Sequence, residues 1–334
     1  MCLVAAGLFG VSSPVSKELL GSLSPLTLAG LLYLGAALGV APFARRGGSS
    51  AARRSRKNLL RMAGVVLFGG VLGPVLLLYG LKAAPAASVS LWLNLETPAT
   101  ALLGLLLFRE HIDRRVALAV VMVTVASAIL AGAAGAALVP SALLVAAACV
   151  CWGVDNNLTA TIDGYAPAQS TLGKGLAAGA VNLAIGLVVE RPSFAVAHVA
   201  AALILGALSY GASIVLYVRG AQQLGAVRSQ LVFSTAPFFG VAVAWAVLRE
   251  PVLGSQLAAA GLMVVAIALL HRERHAHEHS HAAMTHTHWH RHDDAHHDHV
   301  HEPPEAGGHV HEHRHDERKH AHVHRPDIHH RHSH

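Results

Sequence analysis

The sequence predicts an all-α integral membrane protein, in which ten transmembrane helices form two inverted five-helix repeats and precede a disordered C-terminal tail. Hydrophobic residues make up 53% of the chain and charged residues 13%, against roughly 25% charged residues in soluble domains. As far as Leu270, apolar runs of about 20 residues, enough helix to cross a bilayer, alternate with short polar breaks. Because the runs are continuous, they predict helices surrounded by a lipid bilayer and not barrel strands.

Breaks that contain proline, glycine or serine separate the predicted helices, as at Ser24-Pro25 and Ala84-Pro85. The predicted spans are 1–20, 25–44, 58–81, 86–108, 114–133, 138–157, 168–189, 198–218, 226–248 and 252–270. The chain thereby divides into a first five-helix repeat at 1–133, a second at 134–270 and the tail at 271–334.

The distribution of lysine and arginine predicts the orientation. Most basic residues of the predicted loops lie on one side of the membrane, above all in the 45–61 loop, and basic loops stay in the cytoplasm. With ten spans, both termini then lie in the cytoplasm. Membrane topology thus explains the formal net charge of +6, and we expect no nucleic-acid partner. The sequence does not fix the oligomeric state and leaves a homodimer open.

Two similar stretches indicate an internal repeat. Residues 90–98 and 229–237 each begin with serine and end with an intramembrane proline, and the helices that follow end at Arg109-Glu110 and Arg249-Glu250. Because each repeat has an odd number of spans, the second repeat must have the opposite orientation in the membrane to the first. Inverted repeats are typical of secondary transporters, whose substrate site lies near the middle of the membrane where the halves meet.

Further short motifs follow in a fixed order. They are Phe9-Gly10, Ser24-Pro25-Leu26, Leu95-Glu96-Thr97-Pro98 with Arg109-Glu110, and Trp152-Gly153. With the repeat, they resemble the EamA-type ten-helix members of the drug/metabolite transporter superfamily over about residues 1–270. The resemblance implies a metabolite exporter or permease of a bacterial cytoplasmic (inner) membrane, without an ATP-binding domain. The chain departs from the family pattern at Phe9-Gly10, where Trp-Gly is common, and in its tail.

Glu96 lies midway along the fourth predicted span, close to Asn94. A charged side chain at this depth costs about 2.5–3.5 kcal/mol on insertion scales and usually faces the bundle interior. We interpret Glu96 as a group that exchanges protons to drive transport or that binds a cationic group. A carboxylate that is neutralised, or paired for structural reasons, is the alternative. Thr235 stands at the equivalent place of the second half, so a functional Glu96 would make the site asymmetric.

A second polar cluster, Asp155, Asn156 and Asn157, follows Trp152 near the end of the sixth predicted span. It is a candidate for contact with substrate or for a gate, with capping of the helix end as the alternative. Lys174 of the seventh span could form an ion pair with Asp155, because the connection between the two spans is short. Extension of the lysine side chain to the membrane interface is the alternative. The substrate or coupling candidates are thus Glu96, Asn94, Asp155, Asn156, Asn157, Lys174 and Trp152.

The tail holds most of the 26 histidines of the chain, in His-x-His repeats. Because the tail has almost no apolar residues and cannot form a core, we predict disorder. Neutral imidazole is a common ligand of zinc, copper and nickel, so the tail is predicted to bind Zn, Ni, Co or Cu. The membrane part requires no cofactor. The candidate metal ligands are His275, His277, His279, His281, His286, His288, His290, His292, His297, His299, His301, His309, His311, His313, His315, His320, His322 and His324.

The leading hypothesis is therefore a secondary transporter, an exporter or permease, that moves a small metabolite by alternating access. One alternative is a divalent transition-metal exporter that uses the tail as a metal collector or sensor, although the predicted spans hold no histidine-rich path. Another is a membrane metal buffer or sensor that does not transport; the repeat and the buried charges argue against it, because an anchor needs neither. No nucleophile–base arrangement or phosphate loop indicates an enzyme.

Overall fold

The computed structural model describes eleven stretches of the chain: residues 1–44, 56–108, 114–133, 136–162, 165–190, 195–224, 226–271, 276–281, 284–290, 309–315 and 318–323. Within them, the helices group into ten segments, numbered here along the chain. One cluster of buried apolar residues includes members of every segment. The ten segments therefore share a hydrophobic core.

The first half of the bundle contains segments 1 to 5. Segment 1 is Cys2–Gly10 with Ser12–Leu19, segment 2 is Pro25–Val40, and segment 3 is Arg56–Gly64, a π-helix at Val65–Leu72 and Gly73–Ala83. Segment 4 is Ala86–Trp92, a 3-10 turn at Leu93–Leu95 and Glu96–Phe108, and segment 5 is Arg114–Ala133.

The second half repeats this pattern. A 3-10 turn at Ala136–Leu138 precedes segment 6, Val139–Ala160, and segment 7 is Pro167–Val189. Segment 8 is Val196–Leu205, a π-helix at Gly206–Ala212 and Ser213–Leu224. Segment 9 is Ala226–Phe233 with Ala236–Ala246, and segment 10 is Gly254–His271.

Helix length and composition confirm an all-α membrane protein. Five helices are long and apolar enough to cross a membrane: Arg56–Ala83, Ala86–Leu106, Val139–Ala160, Pro167–Val189 and Val196–Ala221. Four shorter apolar helices lie among them: Pro25–Val40, Ala117–Ile129, Ala236–Ala246 and Gly254–Ala266. Segment 6 ends at Ala160, three residues beyond the predicted end, so its polar cluster lies inside the helix.

The two halves meet closely where segments 2 and 7 cross. A side chain at Gly30 would come within 2.6 Å of the backbone nitrogen of Leu183, and one at Gly175 within 2.8 Å of the Tyr33 carbonyl oxygen. Small residues allow this approach, which gives helices in lipid the van der Waals contact that holds them together. Segments 2 and 7 therefore join the halves through their backbones.

The π-helices of segments 3 and 8 occupy the same place in each repeat. A π-turn forms hydrogen bonds to the fifth residue along and often lies at functional sites. In segment 3, the Gly69 carbonyl accepts hydrogen bonds from the Tyr33 hydroxyl and from Trp152 Nε1, the latter at 3.1 Å. The Gly70 carbonyl accepts one from Asn182 Nδ2 at 3.0 Å. Side chains of segments 2, 6 and 7 thus bond to the backbone of this π-helix.

Gly69 also makes room for a charged group. A methyl group at this position would overlap the carboxylate of Asp155 on segment 6. The absence of a side chain at Gly69 therefore fixes how near segment 6 comes to the π-helix.

Two carboxylates cap helices at one end of the bundle, which we call the Glu250 end. Glu250, between segments 9 and 10, accepts hydrogen bonds from the amides of Ala86 and Ala87 at 2.7 and 2.9 Å. These amides begin segment 4 and have no partner within their own helix. Arg249 adopts a left-handed backbone conformation, with φ 54°, in the turn that precedes Glu250. The Arg249-Glu250 motif thus has a structural role at a helix start.

Glu190 performs the same task for segment 2. Its carboxylate accepts hydrogen bonds from the Leu26 and Thr27 amides, both at 3.1 Å, and from the Tyr79 hydroxyl at 3.2 Å. Burial opposes ionisation of Glu190, but hydrogen bonds from Ser24, both amides and Tyr79 outweigh it and lower the pKa of this carboxyl group. The charged form is therefore the form that the fold stabilises.

Lys17 binds the C-terminal end of a helix, whereas Glu190 and Glu250 bind N-terminal ends. Its ammonium group donates to the carbonyls of Leu81, Lys82 and Ala84 at 2.8, 3.1 and 2.9 Å. These carbonyls end segment 3, where the helix dipole favours a cation. Lys17 of segment 1 thus stabilises the end of segment 3.

Within the tail, the structure describes four short extended stretches of chain. Strands β1 (Ala276–His281) and β4 (Arg318–Val323) pair antiparallel, as do β2 (Met284–His290) and β3 (His309–His315). A β-strand forms its backbone hydrogen bonds with a neighbouring strand, and each of these four strands has one such neighbour. Since segment 10 starts beside Glu250 and ends at His271, the tail leaves the bundle at the opposite end, the tail end.

Replacement of Gly69 should separate segments 3 and 6. We expect Gly69→Ala to lower the free energy of unfolding by about 1–3 kcal/mol, because an added methyl group overpacks a filled site. Thermal unfolding in detergent, followed by loss of monodisperse protein, measures the effect. Gly173→Ala is the matched control, since a side chain at Gly173 would meet nothing within 4 Å. Equal stability of the two variants would contradict the close-approach role of Gly69.

The cap at Glu190 should depend on pH. Because its pKa is lowered on folding, the carboxylate stabilises the fold above the usual glutamate pKa of about 4.3, and this contribution is lost as pH falls through the lowered value. We expect Glu190→Gln to reduce stability by about 1 kcal/mol at neutral pH and to match the unmodified protein in strong acid. Glu18→Gln, which removes an exposed carboxylate of segment 1, should have little effect at either pH.

Candidate functional site

Several polar and charged side chains inside the bundle surround a cavity between the two halves, which we call the main cavity. About 510 Å³ of space lies between its walls, including the open mouth. It is lined by Phe9, Tyr33, Glu96, Trp152, Asp155, Asn156, Thr159, Lys174, Tyr210, Ile214, Tyr217, Val218 and Phe233. A cavity with aromatic walls and a few convergent charged groups is a typical small-molecule site.

The ion pair expected between segments 6 and 7 is present. Lys174 Nζ contacts Asp155 Oδ2, and each side chain is only 7% exposed. The hydroxyl of Thr159 donates to the other carboxylate oxygen of Asp155 at 3.2 Å. Capping of a helix end by Asp155 and extension of Lys174 to the interface are therefore both wrong, because both residues are buried in helix interiors. The pair is neutral as a unit.

Glu96 lies in the same cavity but has neutral hydrogen-bond partners. Asn156 Nδ2 lies 2.8 Å from Glu96 Oε1, 3.1 Å from Thr100 Oγ1 and 3.3 Å from Gln230 Oε1. Glu96 is 6% exposed and begins the helix Glu96–Phe108 after the 3-10 turn. The positive end of a helix dipole favours a carboxylate at this place. Segments 4, 6 and 9 thus meet at one buried carboxyl group.

Aromatic rings form one wall of the main cavity. The ring of Phe9 lies 5.2 Å from Phe233, 5.5 Å from Tyr210 and 6.2 Å from Trp152 between centroids. Tyr217 continues the row, 5.0 Å from Phe233. Segments 1, 6, 8 and 9 contribute these rings, whose faces attract cations.

A second cavity also borders Glu96. It is a small cavity, with a volume of about 10 Å³, which is room for about one water molecule. Its lining is Phe9, Gly10, Ser13, Ser90, Leu93, Asn94, Glu96, Gln230, Phe233, Ser234, Ala236 and Pro237. Glu96 borders both cavities, together with Phe9 and Phe233. Asn94 lies here and not in the main cavity, and its amide contacts the sulfur of Met263 at 3.0 Å.

The structure thus brings most of the predicted residues together. Glu96, Asp155, Asn156, Lys174 and Trp152 surround the main cavity. Asn157 does not join them: its amide donates to the carbonyls of Thr100 and Gly153 at 3.0 and 2.8 Å. Asn157 holds segments 4 and 6 together, and it lines neither cavity.

No group of three or more His, Cys, Asp or Glu side chains that could hold a metal gathers in the parts of the chain that the structure describes. The predicted tail ligands His275, His292, His297, His299, His301 and His324 lie outside the described residues. The other predicted tail histidines lie on β1–β4, where the structure describes the backbone alone. Cys149 is buried, with its sulfur 3.7 Å from the Leu93 carbonyl oxygen.

Apart from Trp152, the sequence analysis did not single out the aromatic wall as part of the site, nor Thr159 or Gln230. A signal was present, because aromatic residues make up only 5% of the chain and six of them line one cavity. Their convergence depends on how the segments pack, so single residues along the chain do not reveal it.

Comparisons with known proteins agree with this architecture. The model of the EamA-like transporter family matches residues 1–132 and again 139–272. A protein of Methanothermobacter thermautotrophicus, described as an uncharacterized transporter, is 28% identical over 271 residues, which cover 73% of this chain and 77% of that protein. A crystal structure shares the fold with a TM-score of 0.62 and 22% identity, over 80% of this chain and 95% of that one. With two matches that together cover most of its length, the chain belongs to the EamA-like transporter family.

Proposed function

We propose that this membrane transporter is a secondary exporter of small metabolites that carry a positively charged amine, and that it works by alternating access. One observation carries the proposal: the buried carboxyl group of Glu96 faces a cavity between the halves and is bonded to the Asn156 amide. Lys174, the cation of the same cavity, is already paired with Asp155. Glu96 is therefore the group that an incoming cation would meet.

The surroundings of Glu96 suit an ammonium group. A cation in a low-dielectric cavity needs a counter-charge and hydrogen-bond acceptors, and the Glu96 carboxylate supplies both. The rings of Phe9, Trp152 and Phe233 border the same space and add attraction for a positive charge. A proton or an ammonium group can neutralise the carboxylate, but they compete for the same oxygens. Such competition couples export of the substrate to entry of a proton.

The two ends of the bundle support an alternating-access cycle. At the Glu250 end, Lys17, Glu190 and Glu250 bond to the ends of three helices. The main cavity instead extends towards the tail end, since Thr159 and Val218 lie near the tail ends of segments 6 and 8. If basic loops face the cytoplasm, this cavity is the one that would accept substrate from inside the cell.

Removal of the Glu96 charge should slow transport without unfolding the protein. We expect Glu96→Gln to slow export by about 10- to 100-fold, because a lost hydrogen bond to a charged group is worth roughly 1.5–3 kcal/mol. Liposomes that contain the purified full-length protein are filled with a mixture of amino acids, polyamines, organic acids and sugars. Mass spectrometry of the external medium, with and without a pH gradient, then identifies what leaves.

Glu18→Gln is the matched control, since it removes an exposed carboxylate from segment 1, and it should transport normally. Release of the amine-bearing compounds alone, lost in Glu96→Gln, is the expected pattern. Selective export of organic acids or sugars would contradict the proposed substrate class, and normal export by Glu96→Gln would remove this residue from the mechanism.

Metal export is the second candidate, and the histidine repeats of the tail are the observation that favours it. The tail leaves the bundle at the tail end, the end towards which the main cavity extends. Closely spaced imidazole groups there could collect zinc, nickel, cobalt or copper from the cytoplasm.

Deletion of residues 271–334 separates the two functions. If the tail serves amine export only incidentally, the truncated protein should export amines at the full rate, and neither version should change the metal content of cells. Growth and total cell metal are measured in a strain without the gene, restored with the full-length or the truncated form, across the four metals. Lower cell metal and higher tolerance with the full-length form alone would instead favour metal export.

A further inference from the structure

Two carboxylates join the halves of the bundle by the same hydrogen-bond arrangement. Glu190 accepts hydrogen bonds from the two backbone amides that follow Pro25, both at 3.1 Å. Glu250 accepts them from the two amides that follow Pro85, at 2.7 and 2.9 Å. In each case Oε1 binds the first amide and Oε2 the second. Since both carboxylates belong to the second half and both helix starts to the first, we call these contacts the Glu190 clasp and the Glu250 clasp.

Capping alone does not require a residue from the other half. Segment 7 is the equivalent of segment 2 in the inverted repeat, and its start is bonded within its own helix. There the Ala166 amide donates to Gln169 Oε1 at 3.2 Å. A carboxylate that reaches across from the other half therefore does more than satisfy a helix start, because it also ties the two halves together at the Glu250 end.

The helices that the Glu190 clasp joins are in contact well beyond the clasp. A side chain at Gly186 would come within 2.8 Å of the Thr27 nitrogen, beside the clasp. About three helical turns further along, a side chain at Gly175 would come within 2.8 Å of the Tyr33 carbonyl oxygen. Segments 2 and 7 are thus held together through their backbones, and the Glu190 clasp reinforces a contact that does not depend on it.

The Glu250 clasp joins two interrupted segments instead. It connects the start of Ala86–Trp92, the half of segment 4 before its 3-10 turn, to the turn that follows Ala236–Ala246, the second half of segment 9. These half-helices pack closely, because a side chain at Gly240 would come within 2.6 Å of Ser90 Oγ. On this side of the interruptions, segments 4 and 9 therefore leave no space between them at Gly240.

On the other side of the interruptions, the same two segments border the main cavity. Glu96 of segment 4 and Phe233 of segment 9 both line it. Segments 4 and 9 are therefore closed against each other towards the Glu250 end and lie beside a cavity towards the tail end. The 3-10 turn at Leu93–Leu95 separates the two parts of segment 4, and such a turn inside a helix often marks a hinge.

We infer that Glu250 is a gating residue of transport, whose clasp holds Ala86–Trp92 against Ala236–Ala246 and so closes the protein on the Glu250 side. To open this side, the two amides after Pro85 leave the carboxylate and the first half of segment 4 moves about its 3-10 turn. The Glu190 clasp stays formed, because segments 2 and 7 do not separate. The inference rests on the proposed alternating access, but not on Glu96 or on the substrate class.

A cysteine between the two half-helices reports whether this side is open. Ser90 is only 1% exposed, so the thiol of Ser90→Cys should react slowly in the closed state. The full-length protein carries this change together with Cys2→Ala, Cys149→Ala and Cys151→Ala, which remove its own thiols. A membrane-impermeant maleimide is added outside liposomes that contain the protein. External protease then removes the exposed tails, and mass spectrometry follows labelling in the molecules that keep their tails, whose Glu250 side faces the medium.

We expect Glu250→Gln to raise the labelling rate by about tenfold, because hydrogen bonds to a charged group are lost from the closed state alone. Glu190→Gln is the matched control, since it removes the same kind of clasp from segments 2 and 7. It should lower thermal stability and leave the labelling rate unchanged. Glu250→Asp keeps the charge on a shorter side chain and should give a smaller rise, which remains measurable if Glu250→Gln does not stay monodisperse.

An unchanged labelling rate in the Glu250 variants would overturn the inference. An equal rise in Glu190→Gln would do the same, because both carboxylates would then be structural caps alone. The assay needs no transported compound, so its outcome is separate from that of the export assay. A labelling rate that depends on Glu250 in a protein that exports no amine would support the gate and refute the proposed substrate class.

Discussion

The contact between Asp155 and the π-helix of segment 3 is the constraint on which the interior of this bundle depends. A charged pair in a membrane protein is tolerated only when both partners are bonded, since either charge alone would be costly to bury. Asp155 reaches Lys174 at a place where Gly69 has no side chain to obstruct it. Trp152, one turn earlier on segment 6, bonds to the Gly69 carbonyl. Segments 3, 6 and 7 are thereby fixed together, and with them one wall of the main cavity.

This arrangement also determines the electrostatics of the site. Because Lys174 is held by Asp155, it does not form the ion pair with Glu96 that proximity alone would suggest. Glu96 instead accepts a hydrogen bond from the neutral amide of Asn156. The glycine in segment 3 thus helps to hold Asp155 and Lys174 together in the cavity that Glu96 also lines.

Much of the fold and part of the site could be predicted from the sequence. Charged residues are so costly in lipid that Glu96, Asp155 and Lys174 stand out in apolar runs. Periodicity alone could not assign the neighbours Asn156 and Asn157, which differ by about 100° around the helix. Asn156 faces Glu96, whereas Asn157 faces backbone carbonyls. The helix caps formed by Glu190 and Glu250 could not be predicted either, because each cap joins residues more than 160 positions apart in the sequence.

The repeat provides a symmetric scaffold for an asymmetric site. Segment 4 is interrupted at Leu93–Leu95, and segment 9 is interrupted at the equivalent place, between Phe233 and Ala236. Both breaks begin a new helix near the middle of the bundle, but the first carries Glu96 where the second has Thr235. Only one side chain at these two breaks can therefore take up a proton. The two repeats thus share their backbone architecture but not the chemistry of their helix breaks, so the polar site cannot be symmetric across the two halves.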